Sequence, residues 1–284
     1  MALQATETAG AVKSLWRYPV KSMTGEHLNE AVVTDGGFVG DRAYALIDQS
    51  NGKIASAKVP KKWGGLLELN AAFVEPPRAG TQIPAVRITW PDGANFASTD
   101  READTLLSRA IGRPVRLTTL RPASISVERL DPLAVDETIV DIGHLMMSGK
   151  FADYAAIHLV TTSTLARLAE LSPEVSFDER RFRPNLVVNT NGDRSGFIEN
   201  HWVGRNLAIG EDVLLRVTDP TPRCSVPTLA QKGVAKDARV LRTIADHNLI
   251  PVALLDGENL PCAGVYAFVI RGGTIRKGDA VRLE

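Results

Sequence analysis

The stretch TDPTPRCSVPT, Thr218 to Thr228, sets Cys224 directly after Arg223 and holds the pair between Pro220, Pro222 and Pro227. Prolines fix φ and keep the residue before them extended, so the stretch reads as a shaped loop. A guanidinium beside a thiol favours the thiolate. Such a thiolate can attack as a nucleophile, carry sulfur or bind a soft metal. A lone cysteine is more often a small buried hydrophobe, but a segment rich in Pro and Arg is a poor core site. Cys262, in NLPCAGVYA ahead of an apolar run, suits the core role better. These two cysteines make no disulfide framework, and no CxxC or HxxxH metal pattern accompanies them. The five histidines, at 27, 144, 158, 201 and 247, are scattered. A Cys–His dyad through His158 or His201 has no sequence signature, and no Gly-x-Ser-x-Gly elbow is present.

Cations gather at other strand starts. In YPVKS, Lys21 and Ser22 follow an extended proline that would aim an ammonium and a hydroxyl outward, although a solvated loop fits as well. In GDRAYALID, Arg42 interrupts an apolar strand, either as the partner of Asp41 or Asp48 or as a second cation near Lys21. In RRFRPNLVV, Arg183 offers a planar fork for phosphate or carboxylate, and Asn185 offers a donor and an acceptor. The bland alternative there is a helix cap and a turn. If these groups converge, they suit a small anionic ligand.

The elements that must position them are mostly strands. EAVVT, ALID, VRITW, NLVV and NLAIGEDVLLRVTD are short apolar runs broken by Gly, Pro and Asn turns, including Asn51-Gly52 and Pro91-Asp92-Gly93. GVYAFVIRGGTIRKGDAVRL reads as two strands paired around Gly272-Gly273. Three segments have helical spacing: TDREADTLLSRAIG, capped by Thr99 or Asp100 and stopped by Gly112; TTSTLARLAELSP; and DARVLRTIADHN. The expected fold class is therefore mainly β with a few helices, built as two β-barrel-like domains. We expect an N-terminal domain over residues 9–122 and a second over 123–284, with the irregular stretch from Arg121 to Ser148 packed across the junction. The chain of 284 residues has 33 basic and 33 acidic side chains, which argues against a general nucleic-acid binder. It lacks any run of about 18 apolar residues and any secretory start, so no membrane partner and a cytoplasmic location are expected.

Taken together, YPVKSM, GDRAYALID, FRPNLVV and PTPRC, in this order, resemble the MOSC family. The first blocks are similar to its N-terminal β-barrel domain and the later ones to the MOSC domain proper. The resemblance implies a molybdenum cofactor, a pterin dithiolene with a phosphate tail, in a cleft between the two domains. It is strongest toward the amidoxime-reducing proteins of the family. That implies a cysteine ligand to molybdenum, a role that falls on Cys224. It further implies cofactor contacts from Lys21, Ser22, Arg42, Arg183, Asn185, Arg223 and Tyr266, and from the hydroxyl run Thr161, Thr162 and Ser163. The implied activity is reduction of N-hydroxylated small molecules by a molybdenum-dependent oxidoreductase. Electrons would come from a separate ferredoxin-, flavodoxin- or cytochrome-type protein. The implied alternative is a sulfur carrier or cofactor-delivery protein working through a persulfide or thiolate on Cys224. After PTPRC this chain reads SVPTLAQKGVAKDARVLRTIADHN, where amidoxime-reducing relatives carry a Thr-rich stretch, and substrate choice is expected to differ there.

Overall fold

The computed structural model describes residues 7–131, 137–190 and 196–284. Its largest sheet closes on itself. Seven strands form the ring: β1 (Glu7–Arg17), β2 (Ile157–Thr161), β3 (Leu186–Asn189), β4 (Asn206–Ile209), β5 (Val213–Pro222), β6 (Glu258–Arg271) and β7 (Ala280–Leu283). Their order around the barrel is β2, β3, β1, β7, β4, β5, β6 and back to β2. The β2–β3 pair is parallel and the other pairs are antiparallel. Closure leaves these seven strands paired on both sides, which removes the hazard of an open edge.

Period-two alternation fills the barrel. Leu15, Leu159, Leu186, Val188, Leu207, Ile209, Leu215, Val217, Val265 and Val281 are each 0% exposed and form one core. β1 reaches this ring from the far end of the sequence, N-terminal to the expected boundary at residue 122. It runs beside β3 and β7, with irregularities at Thr8/Gly10 and Val12/Ser14. Gly10 is required there, because a Cβ would sit 2.0 Å from the Asn189 carbonyl oxygen.

The second body is smaller and also β-rich. Asn70–Phe73, Val86–Thr89 and Asn95–Ala97 make a three-stranded sheet, and Ala45–Asp48 pairs with Val115–Thr118. Val20, Met23, Leu46, Leu66, Val86, Ile88, Leu107 and Val115 form its core. Helix α1 (Pro60–Trp63) and helix α2 (Ala103–Ile111) belong to this half, while α3 (Thr162–Leu171) and α4 (Arg239–His247) flank the barrel. The fold is thus mainly β with four helices among the described residues, as expected. α2 stops at Gly112 in a left-handed conformation, but it starts after Glu102 with no side-chain cap, because Asp100 instead accepts the Ala97 amide.

One expected pairing is absent. The strand after Gly272 does not fold back on β6; Gly273–Arg276 pairs with Glu30–Thr34 of the first half. Gly272 allows it, since a Cβ there would lie 2.5 Å from the Val33 carbonyl oxygen. The stretch from Arg121 to Ser148 holds a two-stranded ribbon, Glu128–Leu130 against Ile139–Asp141. Val127, Ile142 and Met146 pack on Ala45, Ile47 and Ile54, so this excursion lies against the first body. Among the described residues no helix is long and apolar enough to cross a membrane.

Candidate functional site

A cavity opens between the two bodies, lined by residues from both. Lys21 and Ser22 enter it from the turn that follows β1. The Ser22 hydroxyl accepts the Ala57 amide at 3.0 Å, and Lys21 Nζ donates to the Phe151 carbonyl at 3.2 Å and to the Asp153 carboxylate. Lys58, which the sequence reading missed, donates to the other oxygen of Asp153 at 2.7 Å. Burial pulls the Lys21 ammonium below its ordinary range, and the Asp153 charge only partly restores it. For Lys58 burial acts the same way, but Asp153, then Cys224 and Tyr266, outweigh it and raise it. Burial would raise the Asp153 carboxyl, yet the two ammonium groups hold it well below the usual carboxylate range.

Arg42 fulfils both readings offered for it. Its Nη1 donates to Asp41 Oδ2 at 2.6 Å and to Asn185 Oδ1 at 3.2 Å, while the side chain lines the cavity. Tyr18 lies between two guanidiniums, with Arg42 at 4.6 Å and Arg183 at 4.3 Å from its ring centroid. Arg183 ends the short 3₁₀ turn Glu179–Phe182 and projects into the cavity. Among the described residues it has no acidic partner, its Nη1 is buried without a hydrogen bond, and burial pushes its guanidinium down to about 10. Asn185 lines the cavity but is engaged by the protein: Oδ1 accepts Arg42 and the His158 amide, and Nδ2 donates to the Trp16 carbonyl.

Arg223 comes from the end of β5. Its Nη2 donates to the Phe182 carbonyl at 2.9 Å, Nη1 lies 3.3 Å from His158 Nε2, and Nε is buried with no partner. Burial, then the Arg223 charge, holds His158 well below its usual range, so the ring is neutral. A neutral ring accepts Arg223 at Nε2 and presents Nδ1–H to the Arg183 carbonyl, 3.5 Å away. Gly264 makes room for that ring, because a Cβ would come 2.6 Å from His158 Nε2. Cys224 is a free, half-buried thiol on the cavity wall, packed against Ala57, Leu67 and Val226. Tyr266, opposite His158 in the β2–β6 register, packs against Tyr154 with the rings tilted and their centroids 5.3 Å apart. Cys262 is 0% exposed and packs with Val252 and Leu260, and burial raises its thiol to about 12.

The hydroxyl run stands apart from the cavity. Thr161 Oγ1 caps α3 by accepting the Thr164 amide and donates to the buried Glu199. Thr162 contacts Asn189 and Thr190, and the Ser163 hydroxyl donates to the Gly196 carbonyl.

Two further features mark the cavity. Its lining carries six cations, Lys21, Arg42, Lys58, Arg129, Arg183 and Arg223, against one carboxylate, Asp153, in a chain of zero net charge. Among the described residues only Ser22, Arg42, Arg183 and Asp256 are non-glycines with positive φ, at 66°, 49°, 54° and 55°. Three of the four line this cavity. Each such conformation costs on the order of 1–3 kcal/mol and persists where the surroundings over-determine it, typically at binding sites. The described residues hold no cluster of three or more His, Cys, Asp or Glu able to bind a metal.

Residues 9–62 match the MOSC N-terminal β-barrel domain, and residues 147–282 match the MOSC domain. This chain belongs to the MOSC family. In this MOSC protein the two matched segments meet at the cavity. Lys21, Ser22, Arg42 and Lys58 come from the first, and Asp153, His158, Arg183, Arg223, Cys224 and Tyr266 from the second. Mitochondrial amidoxime-reducing component 1 of Homo sapiens is 26% identical over 98% of this chain and 84% of its own length. Component 2 of Rattus norvegicus is 23% identical over 97% of this chain and 83% of its own. Molybdenum cofactor sulfurase of Oryza sativa subsp. japonica is 26% identical over 89% of this chain, which spans only 34% of that protein.

Proposed function

We propose that this MOSC chain binds a molybdopterin-type molybdenum cofactor in the cavity. It then acts as a molybdenum-dependent oxidoreductase that reduces N-hydroxylated compounds, with electrons from a separate electron-transfer protein. The observation that carries this reading is one half-buried thiol sharing a wall with cations that the protein leaves uncompensated. Arg183 Nη1 and Arg223 Nε are buried donors without acceptors, and a buried guanidinium left unpaired calls for an anion. A phosphate-bearing pterin supplies one.

The donor set fits in softness as well as charge. Because the described side chains form no metal cluster, a metal held through Cys224 takes its other ligands from the cofactor, and dithiolene sulfur matches thiolate. Lys21, Lys58, Arg42, Arg183 and Arg223 would hold the anionic parts, Tyr266 and Asn185 would flank the pterin, and Cys224 would be the protein ligand. When bound, the group supplies a two-electron redox centre. An amidoxime consumes two electrons and two protons and yields an amidine and water. Around that chemistry the chain's residues have defined tasks. Asp153 keeps both lysine ammonium groups at one wall, neutral His158 fixes the Arg223 fork, and Leu67 and Val226 exclude water beside the thiol.

The names of the human and rat relatives support the reductase. The rice relative supports a second reading, sulfur handling at Cys224. Purified protein from a molybdenum-replete host separates them. We expect molybdenum and releasable pterin in the wild type, both lost in Cys224→Ala, and benzamidoxime reduction with a chemical reductant. Neither metal nor pterin in folded wild type would end the cofactor reading, and labile sulfane sulfur on Cys224 would favour the second.

A further inference from the structure

The cavity holds one cation that the proposed function leaves without a task. Arg129 stands on the ribbon strand Glu128–Leu130, in the stretch between the two family-matched segments. It is half-buried and lines the cavity. Its Nε is shielded from solvent without a hydrogen-bond partner, and its guanidinium makes no ion pair among the described residues. The acid beside it is already taken: Glu128 Oε1 accepts Lys53 at 2.7 Å, and Oε2 accepts Lys62 at 2.8 Å. The ribbon itself is fixed, since the Leu130 amide donates to the Lys58 carbonyl at 2.9 Å, so Arg129 is anchored next to a cavity-lining lysine.

The other cations are occupied. Lys21 and Lys58 share Asp153, and Arg42 is paired with Asp41. Arg183 and Arg223 are given to the cofactor under the reading above. The lining that Arg129 shares also includes aliphatic side chains: Ile142 and Leu145 from the same excursion, Leu254 and Leu255 after the strand Leu249–Val252, and Val226 and Leu67 beside Cys224. A planar guanidinium without an ion pair, in a cavity that also offers aliphatic side chains, matches a carboxylate on an apolar body.

We propose that Arg129 recognises a carboxylate of the substrate, and that this chain takes N-hydroxylated compounds with an apolar body and an acidic group. The N-hydroxyl part rests on the reductase reading; the carboxylate part does not. The test is calorimetric titration of the purified protein with benzamidoxime, 4-carboxybenzamidoxime and 4-amidinobenzoate, the last having no N–O bond to reduce. Wild type should bind the 4-carboxy compound about tenfold tighter than benzamidoxime, the size of one charge-assisted contact. In Arg129→Gln that ratio should fall to about one, with Arg129→Lys between. Matched melting temperature and molybdenum content would show that the variants fold and load alike. Equal wild-type affinities, or a preference that survives Arg129→Gln, would overturn the assignment. If the acidic preference holds for 4-amidinobenzoate while no amidoxime is reduced, Arg129 stands and the reductase reading falls. Reduction of both amidoximes without that preference gives the reverse.

Discussion

At the scale of single residues, the cavity is organised by charges that the fold makes uncomfortable. Arg183 and Arg223 are both held below their usual range by burial, and His158 answers by staying neutral. That neutrality has a pH signature. A histidine whose folded pKa is depressed binds fewer protons when native than when unfolded, so stability falls as pH drops below the unfolded value near 6.5. Asp153 cannot produce the same slope, because its carboxyl is lowered and its contribution is lost only below the usual carboxylate range. Glu199, raised by burial, gives the opposite slope, gaining stability toward acid. Melting temperature should therefore decline between about pH 7 and pH 5 in wild type, and His158→Gln should flatten that decline. An identical decline in the variant would remove His158 as its source. Cys224, Arg223, Arg183, Lys21 and Arg42 were legible in the sequence because Pro and Gly fix the turns that carry them. Lys58, Asp153 and Arg129 were not, since nothing local in SAKVP, FADYAA or VERLD distinguishes them from solvated charges. Their significance comes only from being brought together across the cavity.

At the scale of elements, the loop after Cys224 depends on a residue that RRFRPN hides. Arg181 is 1% exposed and has no carboxylate partner in the ion pairs described; it donates instead to three carbonyls. Nε reaches Ser176 at 2.7 Å, Nη1 reaches Pro227 at 3.1 Å, and Nη2 reaches Ala235 at 2.8 Å. It thereby staples the segment just downstream of Cys224 to the turn that carries Arg183. Arg181→Met would keep most of the packing volume but leave the buried Pro227 carbonyl unpaired, at a cost of about 1–3 kcal/mol before relaxation, while the carbonyls of the exposed Ser176 and Ala235 can turn to water. We expect hydrogen exchange to accelerate over residues 225–238 while β1 and β6 stay protected. Uniform acceleration across the barrel would assign Arg181 to global stability instead. The same scale explains a misread element. The pattern after Gly272 is that of a strand, and a strand forms, but a glycine pair suggests a hairpin without revealing that Val33 is the nearer partner.

At the scale of the whole molecule, the chain's two ends close one barrel, and this is what alternation and turn signals could not express. Strand content and fold class follow from local spacing, whereas the pairing of Ala11 with Asn189 on one side and with Ala280 on the other spans most of the chain. A consequence follows for any separation at residues 122/123. The later half alone retains six of the ring's strands but loses β1, so β3 and β7 each gain an open edge, and the core loses Val12 and Leu15, 3% and 0% exposed in the intact chain. It also loses Glu30–Thr34, the partner of Gly273–Arg276. Unpaired edges over exposed aliphatic residues favour association, and an incomplete ring has no compensating closure. A fragment of residues 123–284 should therefore lack a cooperative thermal transition and bind a hydrophobic dye. Adding a peptide of residues 1–34, which contains β1 and Glu30–Thr34, should restore part of the transition. Cooperative unfolding of the fragment by itself would mean that the six remaining strands can close without β1, and that the first strand serves chiefly to deliver Lys21 and Ser22 to the cavity.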